Sequence, residues 1–160
     1  MIRGNVWKFG NDIDTDQIIP SQYLLLPTAE EMKKYTFEPL DKDFHKKVKQ
    51  GDVIVGGENF GSGSSREQAP RVLKELGIQA VVAKSFARIF YRNSINIGLP
   101  VIVCKGVYDA VSEGDMLEVE VKEGIVRNVK NGDVYAATRL PEHIMKILDA
   151  NGLIEYLNQR

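Results

Sequence analysis

A segment rich in glycine and serine, residues 56–70, carries the side chains of this sequence that are best suited to chemistry. It reads GGENFGSGSSREQAP and lies between a short apolar run and a helical pattern, the position where parallel α/β proteins commonly bind ligands. Its four glycines let the backbone approach a ligand closely, and successive N–H groups can surround an anion. Arg66 adds a planar set of donors that matches a carboxylate or a phosphate. The segment therefore predicts a site for an anionic group.

The type of anion follows from the motifs that the segment lacks. A phosphate-binding P-loop requires a lysine followed by serine or threonine, and a dinucleotide fingerprint requires a glycine where Arg66 stands. A nucleophile elbow requires glycine two residues before and after the serine, which neither Ser62 nor Ser64 has. A small carboxylate ligand is therefore favoured over a nucleotide.

The serines have a second interpretation, in which they only begin a helix. Ser64 with Glu67, or Ser65 with Gln68, matches a capping box, which needs no ligand. Pro70 complicates this interpretation, because proline is tolerated only in the first turn of a helix. A helix that begins near Pro70 would leave residues 64–67 in a separate turn that points outward. Both interpretations remain open at the level of pattern.

Two further segments have residue types that could form a site. Asp12, Asp14 and Asp16 resemble the start of a calcium loop, but Gln17 replaces the turn glycine and Tyr23 replaces the bidentate glutamate. Capping of turns or pairing with basic residues is therefore favoured for these acids.

Arg88 and Arg92 lie four residues apart, on one face of a predicted helix. For both arginines, a solvated position on the surface is favoured over a role in a site. The two histidines, His45 and His143, lie in charged stretches, and we expect surface roles for them.

The elements that must position the glycine-rich segment alternate between strand and helix. The apolar runs predict strands at 52–55, 79–84 and 99–104, with helices at 70–76 and 85–97 between them. This order indicates a parallel sheet with crossover helices.

The flanking regions follow other patterns. A strand is predicted at residues 2–9, irregular chain at 21–28, and helices at about 29–35 and 40–50. Towards the C-terminus, strands at 117–121, 125–129 and 133–137 include the hairpin signal Asn131-Gly132, and a helix is predicted at 141–157. The fold class is mixed α/β.

Composition limits the class of protein. The chain has 160 residues, which favours one domain, residues 1–160. Its formal net charge of −1 argues against nucleic-acid and membrane-surface partners, and we expect a cytoplasmic protein without a membrane span or secretory leader. The one cysteine, Cys104, excludes an internal disulfide and an iron–sulfur cluster held by this chain alone.

Residues 57–67 resemble the signature of the aconitase swivel-domain family. The whole chain is more closely similar to the stand-alone small subunits of 3-isopropylmalate dehydratases. Further matching stretches follow in the same order, at residues 11–20, 23–24, 84–90 and 96–100.

This resemblance implies a swivelling three-layer β/β/α domain, with a parallel central sheet and a second antiparallel sheet. It implies a hydro-lyase that converts 2-isopropylmalate to 3-isopropylmalate through isopropylmaleate, in leucine biosynthesis. It also implies a separate large subunit that carries a four-iron four-sulfur cluster, in a heterodimer or heterotetramer, with no cofactor or metal bound by this chain.

The resemblance also implies roles for individual residues. Ser64 is the expected general base, Arg66 holds a substrate carboxylate, and Ser65 forms a hydrogen bond in the same region. Leu24, Leu25 and Leu26 are the expected substrate-binding leucines, and relatives that act on a third carboxylate tend to carry arginine just after the Tyr-Leu pair. An apolar surface there suits an isopropyl group.

Two departures from the family pattern and several other functions stay open. Gln68 stands where many relatives have histidine, and Ser62 where many have cysteine or an acid. A related hydro-lyase acting on homoaconitate, citraconate or a dimethylmalate would use the same chemistry. A non-catalytic carboxylate-binding module would use only the anion site.

Overall fold

The computed structural model describes residues 1–159; Arg160, the last residue of the predicted domain, lies outside this range. The strands are β1 (Ile2–Lys8), β2 (Val53–Gly56), β3 (Ala80–Ala83), β4 (Val101–Val103), β5 (Met116–Glu120), β6 (Ile125–Asn128) and β7 (Val134–Ala136). The α-helices are α1 (Thr15–Ile18), α2 (Ala29–Met32), α3 (Phe44–Lys47), α4 (Gln68–Glu75), α5 (Arg88–Asn96), α6 (Glu142–Asp149) and α7 (Leu153–Asn158). Two short 3₁₀ helices cover Ser21–Tyr23 and Lys33–Tyr35. Among the described residues, the helices lack the length and apolar character needed to cross a membrane.

The seven strands form one curled sheet in the order β4-β3-β2-β1-β5-β6-β7. β1 joins a parallel part to an antiparallel part, because its two ends have different partners. Val6 pairs with Val53 in the parallel neighbour β2, and Ile2 pairs with Val119 in the antiparallel neighbour β5. Gly4 lies two residues before Val6, where the pairing with β2 begins, and a side chain there would clash with the Gly51 carbonyl oxygen. Glycine therefore allows the chain that leads into β2 to lie close against β1.

The alternation of side chains along the strands divides the core into two layers. Val53 and Val55 of β2 point into a cluster that also contains Leu117 and Val119 of β5, so the two parts of the sheet pack face to face. Ile54, between them, lies in the other cluster with buried residues of the helices, including Leu73 of α4. The arrangement is β/β/α, which confirms the predicted fold class.

Two predicted helices differ from the structure. The helix expected at residues 40–50 is only α3, because the chain before it turns at Phe37, which has a φ of 60°. Phe37 and Phe44 are fully buried, with ring centroids 5.1 Å apart, so aromatic packing overrides the helical pattern there. The helix expected at residues 141–157 is divided into α6 and α7 by Asn151 and Gly152, which have φ values of 69° and 134°.

Candidate active site

The loop that follows β2 is held between two other chain segments. On one side, the Phe60 N–H donates to the Ser85 carbonyl and the Ala87 N–H donates to the Phe60 carbonyl, both at 3.0 Å. On the other side, the Gly61 N–H donates to the Ile13 carbonyl at 2.7 Å, and Ser62 accepts from Thr15 at 2.8 Å. Because both edges are hydrogen-bonded, the backbone leading into Ser64 is fixed in place.

Gly61 sets the path of this loop past helix α5. Its φ is 86°, and a side chain there would overlap the ring of Phe90. Phe90 is 2% exposed and packs against Phe60 with ring centroids 5.5 Å apart. The glycine therefore lets the loop lie directly on α5, which brings residues of that helix beside the serines.

Ser64 lies at the surface but is attached to the core through its backbone. The hydroxyl of the buried Thr15 donates to the Ser64 carbonyl at 2.8 Å. The Ser64 and Ser65 residues themselves are exposed. An exposed hydroxyl on an anchored backbone is open to a small molecule.

Arg66 is fixed from one end of its guanidinium. Its Nη1 donates to Asp16 Oδ1 at 3.0 Å and to the Ile19 carbonyl at 3.0 Å, and its side chain is 14% exposed. The hydrogen bond from Arg66, followed by one from the Ser21 N–H, holds the pKa of the Asp16 carboxyl below its usual value. Arginine has five donor hydrogens, so Nη2 and Nε still have donors for an anion.

The three acids of the segment 12–16 have structural roles. Asp14 caps α1 in a capping box with Gln17, Asp16 pairs with Arg66, and Asp12 accepts a hydrogen bond from the Asn59 amide at 3.3 Å. Asp14 and Asp16 thus have the capping and pairing roles favoured from the sequence, whereas Asp12 bonds to an uncharged amide.

Two adjoining cavities lie against the loop. The smaller, of about 170 Å³, is lined by Ser64 and Arg66 with residues of α5, including Arg88. The larger, of about 480 Å³, is lined by these residues: Leu24, Ser64, Ser65, Arg66, Glu67, Gln68 and Asn93. The site thus contains a hydroxyl, a guanidinium and a nearby apolar side chain, a combination that can bind a small organic anion.

The helix-capping interpretation of the serines does not hold. Helix α4 begins at Gln68, with Pro70 in its first turn, and its N-cap residue is Glu67, which makes no side-chain capping bond. Ser64 and Ser65 precede the helix in an outward turn and line the larger cavity.

The three predicted leucines lie in different surroundings. Leu24 is half-buried and lines the larger cavity. Leu24 and Leu26 both pack against the hydrophobic core, and Leu25 is 93% exposed. Leu24 is therefore the leucine that this structure brings to the site.

Helix α5 contributes more to the site than its sequence indicated. Arg88 is exposed, as expected for a solvated residue, and it also lines the smaller cavity. Asn93 lines both cavities, and the sequence predicted only its place on the helix and no role in a site. Its position one helical turn after Ile89, which also lines the smaller cavity, could have suggested a shared face.

Known proteins resemble this chain over its whole length. A sequence profile for the Aconitase C-terminal domain matches residues 9–105. The "Isopropylmalate/citramalate isomerase small subunit" of Methanocaldococcus jannaschii is 54% identical over 100% of this chain and 95% of its own length. The "3-isopropylmalate dehydratase small subunit 1" of Methanopyrus kandleri is 54% identical over 99% of this chain and 94% of its own.

A solved structure has the same fold. The crystal structure of a 3-isopropylmalate dehydratase from Methanocaldococcus jannaschii aligns with a TM-score of 0.94 and 45% identity, covering 99% of this chain and 94% of that one. The profile match includes the anchored loop, Ser64 and Arg66. The chain therefore belongs to the aconitase C-terminal domain family, among the small subunits of 3-isopropylmalate dehydratases.

Proposed function

We propose that this chain is the small subunit of a hydro-lyase that isomerises 2-isopropylmalate to 3-isopropylmalate through isopropylmaleate, in leucine biosynthesis. The observation that carries the proposal is that Ser64 and Arg66 line the same two cavities. They do so in a chain that is 54% identical to small subunits named for this activity. The cytoplasm is the compartment that we propose, as the composition led us to expect.

Ser64 is the residue that we assign as general base. It removes the carbon-bound proton as the hydroxyl group leaves the neighbouring carbon, and it returns a proton during rehydration. The cluster on the large subunit would act as the Lewis acid for that departing hydroxyl. A serine hydroxyl has a high pKa, so it needs an environment that stabilises its anion. The Arg66 guanidinium and the N–H groups of the loop supply positive potential, which has its full effect once water is excluded from the site.

Substrate binding uses the remaining donors of the same loop. Arg66 binds a substrate carboxylate through Nη2 and Nε, because Nη1 is already bonded to Asp16 and Ile19. The Ser65 hydroxyl forms a hydrogen bond in the same region.

An apolar surface beside these donors receives the branched alkyl group of the substrate. Leu24 provides it within the larger cavity. Leu25 and Leu26 remain proposed selectivity residues, and we expect the exposed Leu25 to contact substrate only in the assembled enzyme.

The iron–sulfur cluster of the family does not fit the residues of this chain. Such a cluster is held by several cysteine thiolates, whereas this chain has only Cys104, which is 1% exposed. Burial raises the pKa of that thiol further above its usual value. We therefore propose that the large subunit holds the cluster and completes the enzyme, as a heterodimer or a heterotetramer.

A second substrate is favoured by one of the relatives. The small subunit from Methanocaldococcus jannaschii is named for both isopropylmalate and citramalate, so interconversion through citraconate is the second candidate. A tricarboxylate such as homoaconitate is disfavoured. A third carboxylate against the Leu24 surface would lack a partner, at a cost of roughly several kcal/mol.

Reconstitution tests the proposal directly. The chain is mixed with a cluster-loaded large subunit, and 2-isopropylmalate or citramalate is added while the ultraviolet absorbance of the unsaturated dicarboxylate is followed. We expect turnover from the mixture and none from either subunit alone. The non-catalytic module would be favoured by two results together. The mixture would turn over neither substrate, and calorimetry would show that this chain alone binds a dicarboxylate.

A further inference from the structure

Three residues line both cavities of the site: Ser64, Arg66 and Asn93. The proposed function gives roles to the first two, which lie on the loop. Asn93 lies on α5, a separate element that follows the loop in the chain. A polar side chain that shares both cavities with the base and the carboxylate-binding arginine is placed to contact the same ligand.

The surroundings of Asn93 keep it in this position. Phe90, one turn earlier, is buried beneath Gly61, and the buried Ser94 hydroxyl donates to the Phe90 carbonyl at 2.8 Å. Asn93 itself is half-buried, and within residues 1–159 its carboxamide has no hydrogen-bond partner. The helix backbone is therefore fixed while the amide remains available.

The residue type is also informative. Asparagine is less favourable than alanine inside a helix by roughly 0.7 kcal/mol, and here no capping or side-chain bond offsets that preference. Its amide can donate from Nδ2 and accept at Oδ1, and it carries no charge. It can therefore bind a carboxylate or hydroxyl oxygen without altering the charge balance set by Arg66.

We propose that Asn93 is a substrate-binding residue, whose Nδ2 donates a hydrogen bond to an oxygen of the dicarboxylate that Arg66 holds. This inference rests on the proposed function, and it adds a contact from α5 to those from the loop. The dicarboxylate is thereby held from two sides, which fixes its carbon-bound proton relative to Ser64.

The test uses the reconstituted two-subunit enzyme with 2-isopropylmalate. Asn93→Ala removes the donor, and we expect kcat/KM to fall by about 10- to 100-fold, as for the loss of a hydrogen bond to a charged group, mainly through KM. Asn93→Asp places a carboxylate against an anionic substrate, so its KM should rise further. Asn96→Ala is the matched control, because Asn96 ends the same helix but lines a different cavity with Lys74.

The outcomes separate this inference from the proposed function. Thermal unfolding and co-purification with the large subunit should match the unmodified chain for all three variants. Three outcomes would overturn the role of Asn93 alone. They are an unchanged KM in both Asn93→Ala and Asn93→Asp, an equal fall in kcat/KM in Asn96→Ala, and failure of Asn93→Ala to assemble with the large subunit. Absence of turnover with the unmodified chain would instead reject the proposed function, and the inference with it.

Discussion

Replacement of Asp16 by asparagine should loosen Arg66 without unfolding the chain. Asp16 accepts one of the two hydrogen bonds that fix Arg66 Nη1, and the other goes to the Ile19 carbonyl. The Asp16 side chain is 60% exposed, so water screens the ion pair and its contribution is about 0.2–1 kcal/mol. For a chain of this size, that corresponds to a fall in melting temperature of about 4 °C at most.

The same pair predicts how the stability difference depends on pH. The Arg66 hydrogen bond, followed by that of the Ser21 N–H, lowers the pKa of Asp16 in the folded state. A carboxyl with a lowered folded pKa stabilises the protein fully above its unfolded pKa of about 3.9, and the effect disappears as the pH falls through the folded value. Urea unfolding from pH 7 to pH 3 should therefore show a difference between the two proteins that is constant above about pH 5 and shrinks in acid.

Activity should respond more strongly than stability. Asparagine keeps an oxygen that can accept from Arg66 but loses the negative charge, so the guanidinium is held less firmly and can turn away from the substrate. We therefore expect KM to rise by about 2- to 10-fold, or roughly 0.4–1.4 kcal/mol. Asp43→Asn is the control, since Asp43 forms an exposed ion pair with Lys46 at 3.9 Å and lines neither cavity. An unchanged KM in Asp16→Asn, or a stability difference that grows towards low pH, would refute the proposed anchoring of Arg66.

Three further predictions concern the loop and its neighbours. Ser64→Ala should lower turnover of the reconstituted enzyme by about 10²- to 10⁴-fold and shift its melting temperature by less than about 2 °C; a full rate in the absorbance assay would reject the base assignment. Gly61→Ala should destabilise the chain by about 2–4 kcal/mol in urea unfolding, because it combines a positive φ with overlap of Phe90, and adding Phe90→Leu should recover part of the loss. Leu25→Arg should raise kcat/KM for a tricarboxylate relative to 2-isopropylmalate at little cost in stability, and an unaltered ratio would remove Leu25 from substrate selection.

Buried strands were the most predictable part of the fold. Strands β2, β3 and β4 are short apolar runs, and each was predicted within two residues at either end. Their burial on both faces leaves a continuous hydrophobic pattern, which a local reading of the sequence detects. The helix expected at 40–50 was wrong because its residues serve an aromatic cluster with Trp7, whose ring centroid is 5.3 Å from that of Phe44. That contact joins distant parts of the sequence.

The site was predictable only where its residues are contiguous. The loop carrying Ser64 and Arg66 was found from its glycines and from its family signature. The partner of Arg66 and the contribution of Asn93 were missed, because both depend on pairs that lie far apart in sequence. The break between α6 and α7 was a local signal that was overlooked, since Asn-Gly favours positive φ values.

The division of β1 between two neighbours has a consequence for how the chain acquires its structure. Val6 can find Val53 early in synthesis, but Ile2 must wait for Val119. The first half of the strand therefore stays an open edge on the nascent polypeptide until most of the protein has left the ribosome. Such late closure makes folding slow and exposes the growing chain to association with its neighbours.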